Sequence, residues 1–136
     1  MKILMVDDDP AILHLFQRVT ERLGFEDIET ASSGDDAVSK VIGTHYDLIT
    51  LDIQMPGASG LEVLSVIRNM CPHAIIAIIS AYIPHDVPSE IAGCADVMIT
   101  KPIAMSIFTQ LVTNVGGIVK HMDAIRSLSI ARTSLR

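Results

Sequence analysis

Basic side chains, paired cysteines, long apolar runs and internal repeats are all scarce in this chain, and each scarcity closes off a class of function. Ten Lys and Arg stand against 16 Asp and Glu, a net charge of −6 over 136 residues. That balance argues against direct nucleic-acid binding, which needs basic surface to displace counterions from phosphates. The longest unbroken apolar run, at 74–79, has six residues and is too short to cross a bilayer, so no membrane span is expected. Asp7, Asp8 and Asp9 interrupt any signal-peptide core, and a cytoplasmic protein is the expectation. Cys71 and Cys94 lack the C-x-x-C spacing of zinc or redox sites and are read as small core thiols. The five histidines show no pair at ligand spacing, and a phosphodonor histidine would need a helical-bundle context that this pattern lacks. Repeats and low-complexity tracts are absent, and the length fits one domain able to bury its own core.

What is present is acidic and lies in two places. The run Lys2-Ile-Leu-Met-Val-Asp7 opens into Asp8 and Asp9, and the run Asp47-Leu-Ile-Thr-Leu-Asp52 ends on a carboxylate. Two carboxylates held about 4 Å apart repel by roughly 1 kcal/mol in water and about 4 kcal/mol near a protein surface. A bound divalent ion removes that penalty. Hard oxygen ligands without nearby His or Cys point to Mg²⁺, which is commonly held by one or two carboxylates together with a phosphate. The pattern therefore anticipates phosphate chemistry.

Five strand-like apolar runs, at 3–6, 28–31, 48–51, 74–79 and 97–99, alternate with helix-like segments, the pattern of an α/β parallel sheet covered on both faces. Ile12, Leu15, Phe16, Val19 and Leu23 recur at helical spacing, as do Leu61, Leu64 and Ile67, and Ile107, Phe108, Leu111, Val112 and Val115. Asp9 before Pro10 reads as an N-cap, and Ser59-Gly-Leu-Glu62 as a capping box. Gly24 and the Gly116-Gly117 pair read as helix stops. Pro84 and Pro88 confine the fourth helix to a short stretch around 88–93. Ligands of open parallel sheets bind outside the carboxyl ends of the strands, and Asp7, Asp8, Asp52, Ser80, Thr100 and Lys101 all fall there.

These stretches, together with Ser80-Ala81 and Lys101-Pro102, resemble the receiver domain of two-component response regulators over about residues 2–119. Each motif is short, but four in order are specific. The resemblance implies a flavodoxin-like three-layer sandwich with strand order 2-1-3-4-5. It implies a phosphoprotein in which Asp52 is the phosphoacceptor, a carboxylate nucleophile forming an aspartyl phosphate. Asp8 would ligate Mg²⁺ directly, Asp7 mainly through water, and the backbone carbonyl of Gln54 would add a ligand; Asp9 is left as a cap. Lys101 would face the incoming phosphoryl group, and Ser80 would donate to a phosphoryl oxygen and so drive a two-state switch. The phosphoryl group would come from the phosphohistidine of a sensor histidine kinase or a phosphotransfer protein, and water would later remove it. The readout would be an output protein or a C-terminal output domain, with the chain a monomer or a phosphorylation-dependent dimer. Such a protein catalyses its own phosphorylation and dephosphorylation but is not an enzyme acting on a separate substrate.

Three positions depart from the family pattern. Met98 stands where an aromatic switch residue is usual, Ser59 where an acidic residue is usual, and Tyr82 is the phenol nearest Ser80. Gln54 and Tyr82 flank the expected site and would tune hydrolysis. Met98 and Ser59 leave open a receiver that binds partners without phosphorylation. A Mg²⁺-dependent phosphohydrolase is a weaker alternative, because Asp7-x-Asp9 lacks the Thr or Val two residues on. A flavin-binding protein is disfavoured because carboxylates after the first strand would repel its phosphate.

Residues 120–136 differ in kind. Lys120, Arg126, Arg132 and Arg136 against Asp123 give +3, leaving −9 for residues 1–119. Ile118, Met122, Ile125 and Leu128 recur at intervals of three or four, so this basic extension is expected to be either helix or linker, with a basic amphipathic arm as the sharper possibility. Too few residues follow position 119 for a helix-turn-helix domain.

Overall fold

Apolar residues at every position of β1 (Ile3–Val6) and at most positions of β3 (Leu48–Leu51) and β4 (Ile75–Ser80) allow those strands to be covered on both faces. A computed structural model describes residues 1–57 and 60–130. With β2 (Ile28–Ala31) and β5 (Val97–Thr100) these strands form one parallel sheet in the order β2-β1-β3-β4-β5. The helices are α1 (Pro10–Arg22), α2 (Gly34–Val41), α3 (Gly60–Met70), α4 (Ser89–Ala92) and α5 (Met105–Arg126).

Side-chain alternation along each strand divides the core in two. Leu4, Val6, Ile49, Leu51, Ile76 and Ile78 face α2 and α3. Ile3, Met5, Leu48 and Ile79 face α1 and α5, where the rings of Phe16 and Phe108 stack with centroids 4.3 Å apart. The result is the expected three-layer sandwich. Cys71 is buried in the first of these cores and Cys94 packs against it, both as free thiols.

The helix ends follow from local chemistry. Asp9 Oδ1 accepts the Ala11 N–H at 2.9 Å with Pro10 in the first turn, capping α1 as expected. Gly24, at φ +94°, closes the other end. Ser33 caps α2 by accepting the Asp36 N–H at 3.1 Å. α4 is a single turn after Pro88. The capping box expected from Ser59 to Glu62, and the role of Ser59 itself, lie outside the described residues.

The Gly116-Gly117 pair does not stop a helix, which corrects the expectation. α5 runs through it to Arg126, 22 residues in all and about 33 Å. The reason is a contact from a distant loop: a Cβ on Gly116 would sit 2.6 Å from Cζ of Phe25. Glycine lets the α1–β2 connection press its ring against the helix, and that packing offsets the propensity cost of about 1 kcal/mol. Residues 120–126 of the basic extension are therefore helix, while 131–136 lie outside the described residues.

Candidate functional site

Register sets the site. Val6 pairs with Leu51 across β1 and β3, and the next residues, Asp7 and Asp52, continue the ladders through Asp7 N–H to Ala31 O at 3.1 Å and Asp52 N–H to Val6 O at 3.0 Å. Two carboxylates are thereby held side by side, Asp7 only 3% and Asp52 only 4% exposed. Asp8 is exposed at the rim, and one oxygen from each of Asp7, Asp8 and Asp52 lies within 4.8 Å of the others.

Lys101 arrives from the end of β5, its N–H bonded to Ser80 O at 2.8 Å. Its Nζ donates to Asp7 Oδ2 at 2.6 Å and to Asp52 Oδ2 at 3.1 Å. Ser80 is fully buried at the end of β4 and donates its hydroxyl to Asp52 Oδ1 at 2.7 Å. The Gln54 N–H reaches the same oxygen at 2.8 Å. Asp7 Oδ1 accepts the Asp9 N–H at 2.9 Å. The sequence-predicted residues Asp7, Asp8, Asp52, Ser80, Gln54 and Lys101 thus meet in one place, and Asp9 stands apart as a cap.

The electrostatics are unbalanced. Three carboxylates face one ammonium. Burial pushes the Asp7 carboxyl above the ordinary carboxylate range, against the opposing pull of Lys101 and the Asp9 N–H. Burial would by itself depress Lys101, but its bonds to Asp7 and Asp52 outweigh that and hold the ammonium above the ordinary lysine range. Lysine is firmly cationic and Asp7 is under-compensated, so a hard cation fits the charge left over.

The loop carrying Gln54 is fixed by a close approach. A Cβ on Gly60 would lie 2.3 Å from Ile53 Cα, so only glycine lets the start of α3 seat against it. Tyr82, 57% exposed, and Gln54 line a cleft of about 170 Å³ together with Ile53, Gly60, Leu61 and Pro84. Met98 is half-buried on β5 and packs against the α2–α3 core. A larger apolar groove of about 320 Å³, lined by Ile12, Leu15, Phe16, Pro102, Ile103 and Met105, opens beside Lys101. That groove was not legible in the sequence, because its walls come from α1 and from the segment before α5.

Arg68 also went unseen. From the last turn of α3 its guanidinium reaches the carbonyls of Cys94 at 2.8 Å, Ala74 at 2.8 Å, Pro72 at 3.2 Å and Cys71 at 3.3 Å, and Asp96 Oδ2 at 2.7 Å. Its only sequence signal was an Asp at the entrance of the fifth strand, 28 residues away.

Known proteins agree with this geometry. The response regulator receiver domain model matches residues 3–113. The transcriptional regulatory protein YvrH of Bacillus subtilis (strain 168) is 38% identical over 100 residues, 74% of this chain and 42% of that protein. The chain therefore spans less than half the length of that relative. The response regulator TrrA of Thermotoga maritima, solved in complex with Mg²⁺ and BeF, superposes with a TM-score of 0.73 at 37% identity, covering 85% of this chain and 99% of that one. TrrA in complex with the histidine kinase ThkA gives a TM-score of 0.72 at 36% identity, over 85% and 98% of the two chains. With sheet order, acidic pocket and family match in agreement, this chain belongs to the response regulator receiver domains of two-component signalling systems.

Proposed function

We propose that the chain is a phosphorylation-controlled binding module of the cytoplasm, with residues 1–119 as the receiver and 120–136 as a basic extension. The observation that carries this reading is the buried Asp52, whose two oxygens are held by Ser80, the Gln54 N–H and Lys101, beside Asp7, which shares that ammonium, and the exposed Asp8.

In this reading Mg²⁺ would be held by Asp7, Asp8, Asp52 and the backbone carbonyl of Gln54. When bound, the ion would neutralise carboxylate charge and draw in the phosphoryl oxygens. An Asp52 oxygen attacks phosphorus as the bond to the donor histidine nitrogen breaks, leaving an acyl phosphate on Asp52 and a free imidazole on the donor. Lys101, already anchored on Asp7 and Asp52, supplies a fixed positive charge where negative charge gathers.

Ser80 is the switch. Its hydroxyl bonds the Asp52 carboxylate in this structure; once that oxygen is esterified its charge moves to the phosphoryl group, which becomes the stronger acceptor. Following it draws in the connection after β4, and Met98 and Tyr82, on β5 and in that connection, are the tuning positions. Met98 is flexible and unbranched and would transmit the change through repacking, not ring rotation. Tyr82 and Gln54, which line the same cleft, would govern water access to the phosphate.

The donor would be a sensor histidine kinase or phosphotransfer protein seated over the apolar groove beside Lys101, and the readout an output protein or output domain. Intact-mass measurement after incubation with Mg²⁺ and acetyl phosphate tests the reading. One phosphoryl group should appear on the native chain and none on Asp52→Ala. Unmodified native protein, after presentation of a phosphorylated kinase as well, would sink it in favour of phosphorylation-independent binding.

A further inference from the structure

Three aspartates stand in a row after β1, and only two of them join the carboxylate cluster. Asp7 and Asp8 reach Asp52, whereas Asp9 turns its side chain to α1, where Oδ1 accepts the Ala11 N–H at 2.9 Å. The backbone of Asp9 works in both directions. Its N–H donates to Asp7 Oδ1 at 2.9 Å, and its carbonyl accepts the Leu13 N–H at 3.2 Å. Position 9 is extended, at φ −90° and ψ 109°, the conformation favoured before a proline. One residue thereby serves the strand end with its N–H and the helix with its side chain. Asp8, between these fixed points, is exposed, and among the described residues its carboxylate makes no hydrogen bond or ion pair.

We propose that Asp9 is a positioning residue of the cation site: by occupying the amino end of α1 it reserves the Asp8 carboxylate for the ion. The proposal rests on the Mg²⁺ site assigned above to Asp7, Asp8 and Asp52. Pro10 has no N–H to offer, so Ala11 carries the first free amide of the helix. A capping side chain serves an amide two or three residues further on. Asp9 stands two residues before Ala11 and Asp8 three, so both compete for one amide. With Asp9 in place the Ala11 N–H is taken, and the positive end of a 13-residue helix is answered by a carboxylate outside the cluster. With alanine at position 9, the carboxylate free to answer it is Asp8. Each Asp8 that swings to Ala11 is one ligand fewer for the ion. Pro10 keeps position 9 out of the helical region in either case, so the exchange is a side-chain movement and adds no turn to α1.

Calorimetric titration of the full chain with Mg²⁺ alone, at about 0.15 M salt, compares native protein with Asp9→Ala, Asp9→Asn and Asp9→Ser. Asn and Ser cap as well as Asp and should hold the ion within about threefold of native affinity, the small loss being a screened charge. Asp9→Ala should weaken binding at least about tenfold, the usual cost of removing a group that orients a metal ligand. Amide exchange followed by NMR in metal-free protein reads the displacement itself. The Ala11 amide should stay protected in Asp9→Ala, because Asp8 takes it over, and should exchange about fivefold faster once Asp8→Ala is added, the cost of a lost cap. A cap with no part in the site would do the reverse, losing Ala11 protection in Asp9→Ala while sparing Mg²⁺ affinity, and that result would overturn the proposal. Equal losses of affinity in Asp9→Asn and Asp9→Ala would overturn it too, by making Asp9 a charge and not a cap. A native chain that takes up no Mg²⁺ would instead sink the cation site, and the proposal with it.

Discussion

The two poles of the sheet hold similar residues in opposite electrostatic states. At the carboxyl ends of the strands, Asp7 and Asp52 share the ammonium of Lys101 with Asp8 clustered beside them, and burial raises the Asp7 pKa. At the amino ends, Arg68 spends its guanidinium on four carbonyls and Asp96, whose Oδ2 also accepts the Ile76 N–H at 2.8 Å. Lys2 there bonds Asp27 at 3.2 Å and pairs with Glu29 at 3.3 Å, and its N–H reaches Asp47 at 2.7 Å. One pole is saturated and the other is left wanting a cation. Saturation serves stability, whereas the deficit is the property a ligand-controlled switch needs.

Breaking the saturated pole should have the larger effect on stability. Arg68→Met keeps most of the side-chain volume but leaves the partly buried carbonyls of Cys71 and Ala74 without this donor and Asp96 without its cation. A loss of about 2–3 kcal/mol is expected in urea unfolding. A change below about 0.5 kcal/mol would place Arg68 among ordinary surface residues and end the contrast.

The deficient pole should respond with the opposite sign. Without metal, Asp7→Asn removes a charge that burial disfavours while leaving Lys101 its bond to Asp52, and should stabilise slightly. Saturating Mg²⁺ should stabilise the native chain by about 2.7 kcal/mol at one hundred times its Kd, and Asp7→Asn should lose most of that gain. Thermal unfolding with and without Mg²⁺ measures both. Destabilisation by Asp7→Asn in the absence of metal would mean that Lys101 already satisfies the site.

Much of this was legible in the sequence, for identifiable reasons. Strands covered on both faces are written as apolar runs, so β1 and β3 were placed to the residue, and the polar residues at their ends marked the site; β2, a half-buried edge strand of sequence Ile-Glu-Thr-Ala, was placed as well. Ser80 read as lying just outside β4 because it is polar, yet it pairs with Thr100 inside the ladder. The glycines of α5 misled because a glycine that accommodates a neighbour and one that ends a helix look alike until Phe25 is seen against Gly116. Arg68 was missed because four of its five acceptors are backbone carbonyls, which leave no mark on a sequence, and the fifth, Asp96, lies 28 residues away.

The smallest expected effect concerns protons at the deficient pole. Because the Asp7 carboxyl is raised in the fold, its contribution to stability is fully present below the unfolded value of about 3.9 and is lost as pH rises through the folded one. Metal-free protein should therefore lose a little stability across that acid window, and Asp7→Asn should not. Lys101, also raised, contributes up to the ordinary lysine range and loses that contribution only in more alkaline solution. Mg²⁺ and the proton compete for Asp7, so the ion's affinity should fall on acidification earlier than at a solvated carboxylate pair. Mg²⁺ titrations followed by thermal unfolding over a pH series read this directly. Affinity that stays flat down to the ordinary carboxylate range would show that the ion is not held by the charge on Asp7, and the contrast between the poles would then rest on Asp52 and Asp8 alone.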